Sequence, residues 1–173
     1  FPLGTNQVIS TDELYFASSS KAVTVKEKDS ASVIMKLDAG NGRSVEYEYS
    51  LTSGSYLLGM KIRINKMQDV VASNSSYISA DWGMNLIRVE KSMQNERMAS
   101  TCYFMFTDDE VDYISESKDE KKALPTKVKW VAFKQQFFTS VLIPEKELDK
   151  PITVETYTDK ESSRIVKRMD ASF

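Results

Sequence analysis

Four carboxylates, Asp108, Asp109, Glu110 and Asp112, crowd one short stretch of the chain and form its densest group of potential ligands. Acids at such spacing could hold a hard cation or serve as an acid and base pair. A hard cation takes about six to eight oxygen ligands, and a calcium loop usually places a Gly at its sharp bend. The run from Thr107 to Tyr113 contains no Gly. It therefore reads as a solvated turn between Phe106 and Val111. The single Cys102 has no partner for an internal disulfide and lies in the apolar run Cys102-Tyr103-Phe104-Met105-Phe106. With no activating base near it in sequence, it reads as a buried, inert thiol. The count of His is 0. That removes Ser-His and Cys-His nucleophile pairs, zinc sites built on imidazole and the usual proton shuttle near neutral pH. Hydrolysis by paired carboxylates would need two acids about 5 to 9.5 Å apart in a cleft, and no spacing points to such a pair. No catalytic residue, metal ligand or cofactor site is assigned.

Contact chemistry is better represented. The block Trp130-Val131-Ala132-Phe133-Lys134-Gln135-Gln136-Phe137-Phe138 sets two adjacent amides among four aromatic side chains. A buried amide without hydrogen-bond partners costs about 1–3 kcal/mol. The block is thus either a specifically satisfied core element or part of a contact surface. Trp130, Lys134, Gln135, Gln136 and Phe137 are the candidate partner-binding residues, at an unpaired sheet edge or cleft, because exposed edges accept extended chains. Trp82 and Trp130 could alternatively present ring faces to sugars, although most aromatics of a β-rich domain are core.

A chain of 173 residues suits one domain, 1–173, large enough to bury about 70% of its unfolded surface. Apolar residues make 41% and charged residues 28% of it, the composition of an ordinary globular protein. Lys+Arg is 23 and Asp+Glu is 25, giving a formal charge of −2 and no field that would gather nucleic acid or an anionic membrane face. Lys118, Lys121, Lys122, Lys127, Lys129 and Lys134 are interleaved with Glu116, Asp119 and Glu120, which keeps the local field small. The longest apolar runs are about five residues, against about 20 for a membrane helix. The opening Phe1-Pro2-Leu3-Gly4 carries no initiator Met and no leader pattern, and reads as part of something longer.

Period-2 alternation dominates and predicts half-buried strands. In 44–51, Val45, Tyr47, Tyr49 and Leu51 alternate with Glu46, Glu48 and Ser50. A strand at 32–37 joins it through the turn Gly40-Asn41-Gly42, and Ser53-Gly54 leads into 56–64, which completes a three-strand meander. Further strands are expected at 14–16, 22–26, 76–80, 84–90, 100–106, 111–115, 140–143, 152–158 and 164–169. Residues 91–99 should form a short helix, and 116–122 an exposed, mobile loop. Within the block, β-branched residues and Pro144 favour strands at 127–131 and 139–143 with a helical turn at 134–136 between them. The competing helix would align Trp130, Phe133, Phe137 and Val141 on one face. Turn signals every 8–14 residues argue for an all-β, mainly antiparallel sandwich with one or two short helical turns.

Trp130-Val131-Ala132, then Gln135-Gln136-Phe137-Phe138 and Thr139-Ser140-Val141-Leu142-Ile143-Pro144, resembles the closing motif of the large periplasmic domain of YidC-type membrane protein insertases. The strand pair from Gly42 to Tyr49 followed by Tyr56 is similar to that family's. Arg97-Met98-Ala99-Ser100-Thr101 and Asp108-Asp109-Glu110-Val111-Asp112-Tyr113-Ile114-Ser115 resemble its Bacteroidota branch. The resemblance covers residues 40–145. It implies a β-supersandwich similar to galactose-mutarotase and sugar-binding folds, placed in the periplasm between the first two membrane helices of an inner-membrane protein. It further implies that the domain's first strands and the helical membrane core are absent from this segment. Insertase chemistry then cannot be assigned to these residues, and membrane contact would run through other parts of the parent.

The function so implied is non-catalytic: a scaffold or chaperone-like contact surface in protein transport, with Sec translocon components and nascent membrane proteins as partners. Mutarotase chemistry is unavailable, since it needs a His to protonate the ring oxygen and the count of His is 0. The alternative is a carbohydrate-binding β-sandwich module.

Overall fold

In the computed structural model, residues 9–70, 78–146, 148 and 151–173 are described. The expected strand at 76–80 therefore lies partly outside the described residues. The chain divides into two compact units, residues 1–78 and 79–173. Every strand pairing in both is antiparallel.

The first unit is one sheet of four strands, ordered β1-β2-β3-β4, from β1 (Ala17–Ser18), β2 (Ser30–Asp38), β3 (Ser44–Thr52) and β4 (Leu58–Asn65). The predicted meander is its main part. Between β2 and β3 the chain holds Gly40, Asn41 and Gly42 at φ of 74°, 56° and 75°. Gly and Asn are the residues that enter this region at least cost, so the turn is written into the sequence. The register pairs Leu37 with Val45 and Val45 with Ile64, and likewise Met35 with Tyr47 and Tyr47 with Ile62. One face is therefore apolar across the sheet. The other carries charge, with Lys36–Glu46 at 3.7 Å and Arg63–Glu48 at 2.5 Å. Two expectations fail here. Residues 22–26 form no strand, and 14–16 yield to a 3-10 turn (Thr11–Glu13) and the very short β1.

The second unit is a sandwich of two four-stranded sheets. The first sheet, in the order β10-β9-β6-β7, uses β6 (Thr101–Phe106), β7 (Val111–Tyr113), β9 (Val128–Lys134) and β10 (Thr139–Leu142). The second, β5-β12-β11-β8, uses β5 (Asp81–Ile87), β8 (Glu120–Ala123), β11 (Thr153–Tyr157) and β12 (Ile165–Ser172). Alternate residues of both meet in one core: Cys102, Phe104, Val131 and Phe133 from one sheet, and Leu86, Val154, Met169 and Ala171 from the other. The Trp82 ring stacks on Phe133 at 4.0 Å.

Several boundaries depart from expectation for local reasons. The strand expected at 84–90 stops at Ile87, because the N–H groups of Val89 and Glu90 donate to the Glu96 carboxylate instead. The loop expected at 116–122 gives way at Glu120 to β8, which pairs with β11. Lys121 is met by its cross-strand neighbour Glu155 at 3.0 Å and Lys122 by Asp112 of β7 in the other sheet at 2.8 Å, so a polar strand is viable there. The helical turn expected at 134–136 is absent. β9 runs on to Lys134, and a tight hairpin closes where the Gln135 N–H donates to Phe138 O at 2.7 Å. The expected short helix is α1 (Met93–Met98), capped by the Ser92 hydroxyl accepting from Asn95 N–H at 3.2 Å.

Candidate functional site

Because β9 sends Val131 and Phe133 inward, its Trp130, Ala132 and Lys134 stand on the outer face of the β10-β9-β6-β7 sheet. The register lines up Tyr103, Ala132 and Val141 across three strands, with Lys134 beside Thr139 and Trp130 beside Met105. Tyr113 of β7 extends the row, its ring 5.4 Å from that of Tyr103. Tyr103, Trp130, Ala132 and Lys134 floor and wall a groove of about 360 Å³, bounded on the β10 side by Thr139, Val141 and Ile143. Its surface is apolar. The charge nearest to it, Lys134, is spent inside the fold, where Nζ donates to Ala99 O at 3.0 Å.

The candidate residues thus divide. Trp130 and Lys134 line the groove. Gln135 turns inward, 9% exposed, and its Nε2 donates to Ile87 O at 2.7 Å, tying the hairpin to the end of β5. Gln136 is exposed in the hairpin loop, and Phe137 beside it is 56% exposed. Apart from Tyr103 of β6, the groove side chains and the loop tip belong to one hairpin. Trp82 is not beside Trp130; its ring lies against the buried Phe133.

Elsewhere the chemistry expected from sequence finds ordinary partners. The acidic run turns after Phe106, with Asp109 at φ 72° and its N–H donating to Phe106 O at 3.1 Å. Lys129 reaches Asp109 at 2.5 Å, and the hydrogen bond from Lys122 holds the Asp112 carboxyl below its usual range. Among the described residues no group of three or more His, Cys, Asp or Glu could hold a metal ion. Cys102 is buried, and burial pushes its thiol up to about 12.

Two buried charges went unread in the sequence. Lys167 donates to Ser100 O at 3.0 Å and Glu116 O at 2.9 Å, and desolvation lowers its pKa. A register shift between Ile165 and Lys167 turns both Val166 and Lys167 inward, which simple alternation forbids. Glu96 takes the Val89 N–H at 3.0 Å, while Arg97 donates to Val166 O at 3.1 Å and Asp159 O at 2.9 Å. Arg97 through Thr101 is therefore a polar clasp joining α1 to both sheets. Unlike-charge and carbonyl partners far away in sequence leave no local signal.

The profile of the YidC periplasmic domain family matches residues 2–171 of the chain. The chain belongs to this family. Among curated relatives named membrane protein insertase YidC, that of Bacteroides fragilis is 29% identical over 163 residues, covering 94% of this chain and 25% of the relative. That of Parabacteroides distasonis is 32% identical over 142 residues, covering 82% and 22%. That of Phocaeicola vulgatus is 29% identical over 168 residues, covering 97% and 26%. The chain thus spans about a quarter of the length of the YidC relatives it matches. As a YidC periplasmic domain it lies on the periplasmic side of the inner membrane, and its antiparallel all-β fold agrees with the resemblance drawn from Trp130 to Pro144. No helix among the described residues is long and apolar enough to cross a membrane.

Proposed function

We propose that residues 1–173 act together as a non-catalytic periplasmic domain of a membrane protein insertase, a contact surface through which the parent holds translocon components or nascent membrane proteins. The observation that carries this reading is the groove on the outer face of β9 and β10. It concentrates Trp130, Tyr103, Val141 and Ile143 on a surface whose one charged lining residue, Lys134, has its ammonium bonded to Ala99 O, and Val141 and Ile143 are half exposed. Phe137 and Phe138 are exposed at the tip of the same hairpin, and apolar surface so placed gains by leaving water. Trp130, Gln136 and Phe137 supply the contact, while Lys134 and Gln135, bonded within the fold, fix the hairpin that presents them. A carbohydrate module is the weaker reading, since gripping sugar hydroxyls calls for acids or amides around the ring, and no carboxylate or amide lines this groove.

Lys134 and Gln135 are poor positions for a test, because both are bonded inside the fold. Val141→Ser with Ile143→Ser in the full-length protein changes exposed groove residues instead. Crosslinking to the translocon and to nascent chains should fall while the thermal midpoint stays near that of the parent. Unaltered crosslinking and growth would remove the groove from the function.

A further inference from the structure

The groove borders a free sheet edge, and the same residues serve both. β10 pairs with β9 alone among the described residues. The closing bond from Gln135 N–H to Phe138 O sets the phase of the ladder. Moving two residues along in each strand, the pairs Ser140/Phe133 and Leu142/Val131 occupy hydrogen-bonded positions, and Thr139/Lys134 and Val141/Ala132 do not. The N–H and C=O groups of Thr139, Val141 and Ile143 consequently point away from β9. Their side chains line the groove. A strand laid on this edge would satisfy those groups and place every second side chain beside Thr139, Val141 and Ile143, along the β10 wall of the groove.

The other edges of this unit are guarded. β8 carries Glu120, Lys121 and Lys122, β7 has Asp112 at its centre, and β5 opens on Asp81. Charge on an edge strand is a common device against unwanted pairing. β10 reads Thr139-Ser140-Val141-Leu142, without charge or Pro, and Pro144 follows it. An edge left unguarded beside an apolar groove selects a definite occupant.

We propose that β10 accepts an extended, uncharged segment of another polypeptide as an added strand, its alternate apolar side chains packed against Val141 and Ile143 at the rim of the groove. This rests on the reading of that face as a contact surface and adds the mode of binding and the chemistry of the partner. Main-chain pairing supplies affinity independent of sequence, and the groove supplies the preference for apolar residues at alternate positions.

The test uses the 173-residue chain and a labelled peptide, Lys-Thr-Val-Thr-Val-Thr-Val-Thr-Lys, followed by fluorescence anisotropy and amide hydrogen exchange. Binding should slow exchange at Thr139, Val141 and Ile143. Val141→Pro removes an N–H that β9 does not use, so the fold tolerates it, yet binding should weaken about tenfold or more. Val141→Thr, which keeps the N–H, should cost only a few-fold. If Val141→Pro shifts the circular dichroism spectrum, Ile143→Pro just past the strand asks the same question. Proline variants that bind as well as the parent, or bound peptide with no protection of those amides, would overturn strand addition while leaving the face as a contact surface. Preference for phosphatidylglycerol vesicles over the peptide would overturn it too. A photo-crosslinker placed at Val141 of the full-length protein that captures neither translocon nor nascent chain would instead strike the broader reading.

Discussion

Lys167 shows what a single side chain contributes when its charge is enclosed. Two backbone carbonyls solvate the ammonium; desolvation disfavours its charge, Asp119 and Glu116 partly offset that, and the like charge of Arg97 adds to it. Its pKa in the folded state lies below the unfolded value of about 10.4. Between the two the unfolded chain binds more protons, so stability rises as pH climbs through that window, and the charged form costs stability below it. Lys167→Met leaves two carbonyls unpaired and should destabilise the protein by about 1–3 kcal/mol at pH 7. In urea titrations the gap between parent and variant should widen from pH 8 to pH 10.5; a constant gap would mean the ammonium is not desolvated. Cys102 makes a second case. With the thiol buried and its pKa near 12, the native protein should resist iodoacetamide at pH 8, and urea should make it react completely. Prompt labelling of the native chain would show the β6 core to be open.

The β9–β10 hairpin is the element on which the proposed function depends, and its two amides have different work. Gln135 joins the hairpin to the end of β5, whereas Gln136 stands in solvent at the loop. Gln135→Ala should cost about 1–3 kcal/mol, since Ile87 O loses its donor, and Gln136→Ala should fall within about 0.5 kcal/mol of the parent. Thermal unfolding of both variants would decide it; equal effects would show that the inward hydrogen bond contributes nothing. The sequence was legible where apolar and polar residues alternate strictly, as in β3 and β4, or where an apolar run enters the core, as in β6. It was misleading at β8, whose Glu120-Lys121-Lys122 resembles a solvated loop until Glu155 and Asp112 are placed opposite. The strand pair in 128–142 was readable from β-branched content and Pro144. The split between Gln135 and Gln136 was not, because it depends on where Ile87 O lies.

At the scale of the whole molecule, the two units differ in how fully each buries its apolar face. The 79–173 unit closes a core between two sheets. The 1–78 unit leaves Leu51, Leu58, Met60 and Ile62 exposed along the β3–β4 end of its sheet, with β4, eight residues long, its edge among the described residues. Such an edge favours association between chains. Sedimentation of the 173-residue chain should show mass rising with concentration, and Met60→Lys with Leu58→Lys should shift that rise to higher concentration. Identical profiles for parent and variant would show that this face does not self-associate. The small net charge of −2 supplies little repulsion to oppose it.

By itself the sequence determined the class of structure and the kind of chemistry. Alternation sets which strand faces meet a core, glycine and asparagine at 40–42 set a turn, the lack of His closes most routes to proton transfer, and the 130–144 motif points to the family. Those are local properties, carried by residues near one another along the chain. Only the tertiary structure decided which faces are left over: that Lys134 and Gln135 are consumed by distant carbonyls, that Trp82 belongs to the core, and that Thr139, Val141 and Ile143 turn both their backbone and their side chains toward open space. The reason is physical, since hydrogen-bond partners and covering layers are contributed by segments far apart in the chain, and their presence or absence changes nothing in the local pattern.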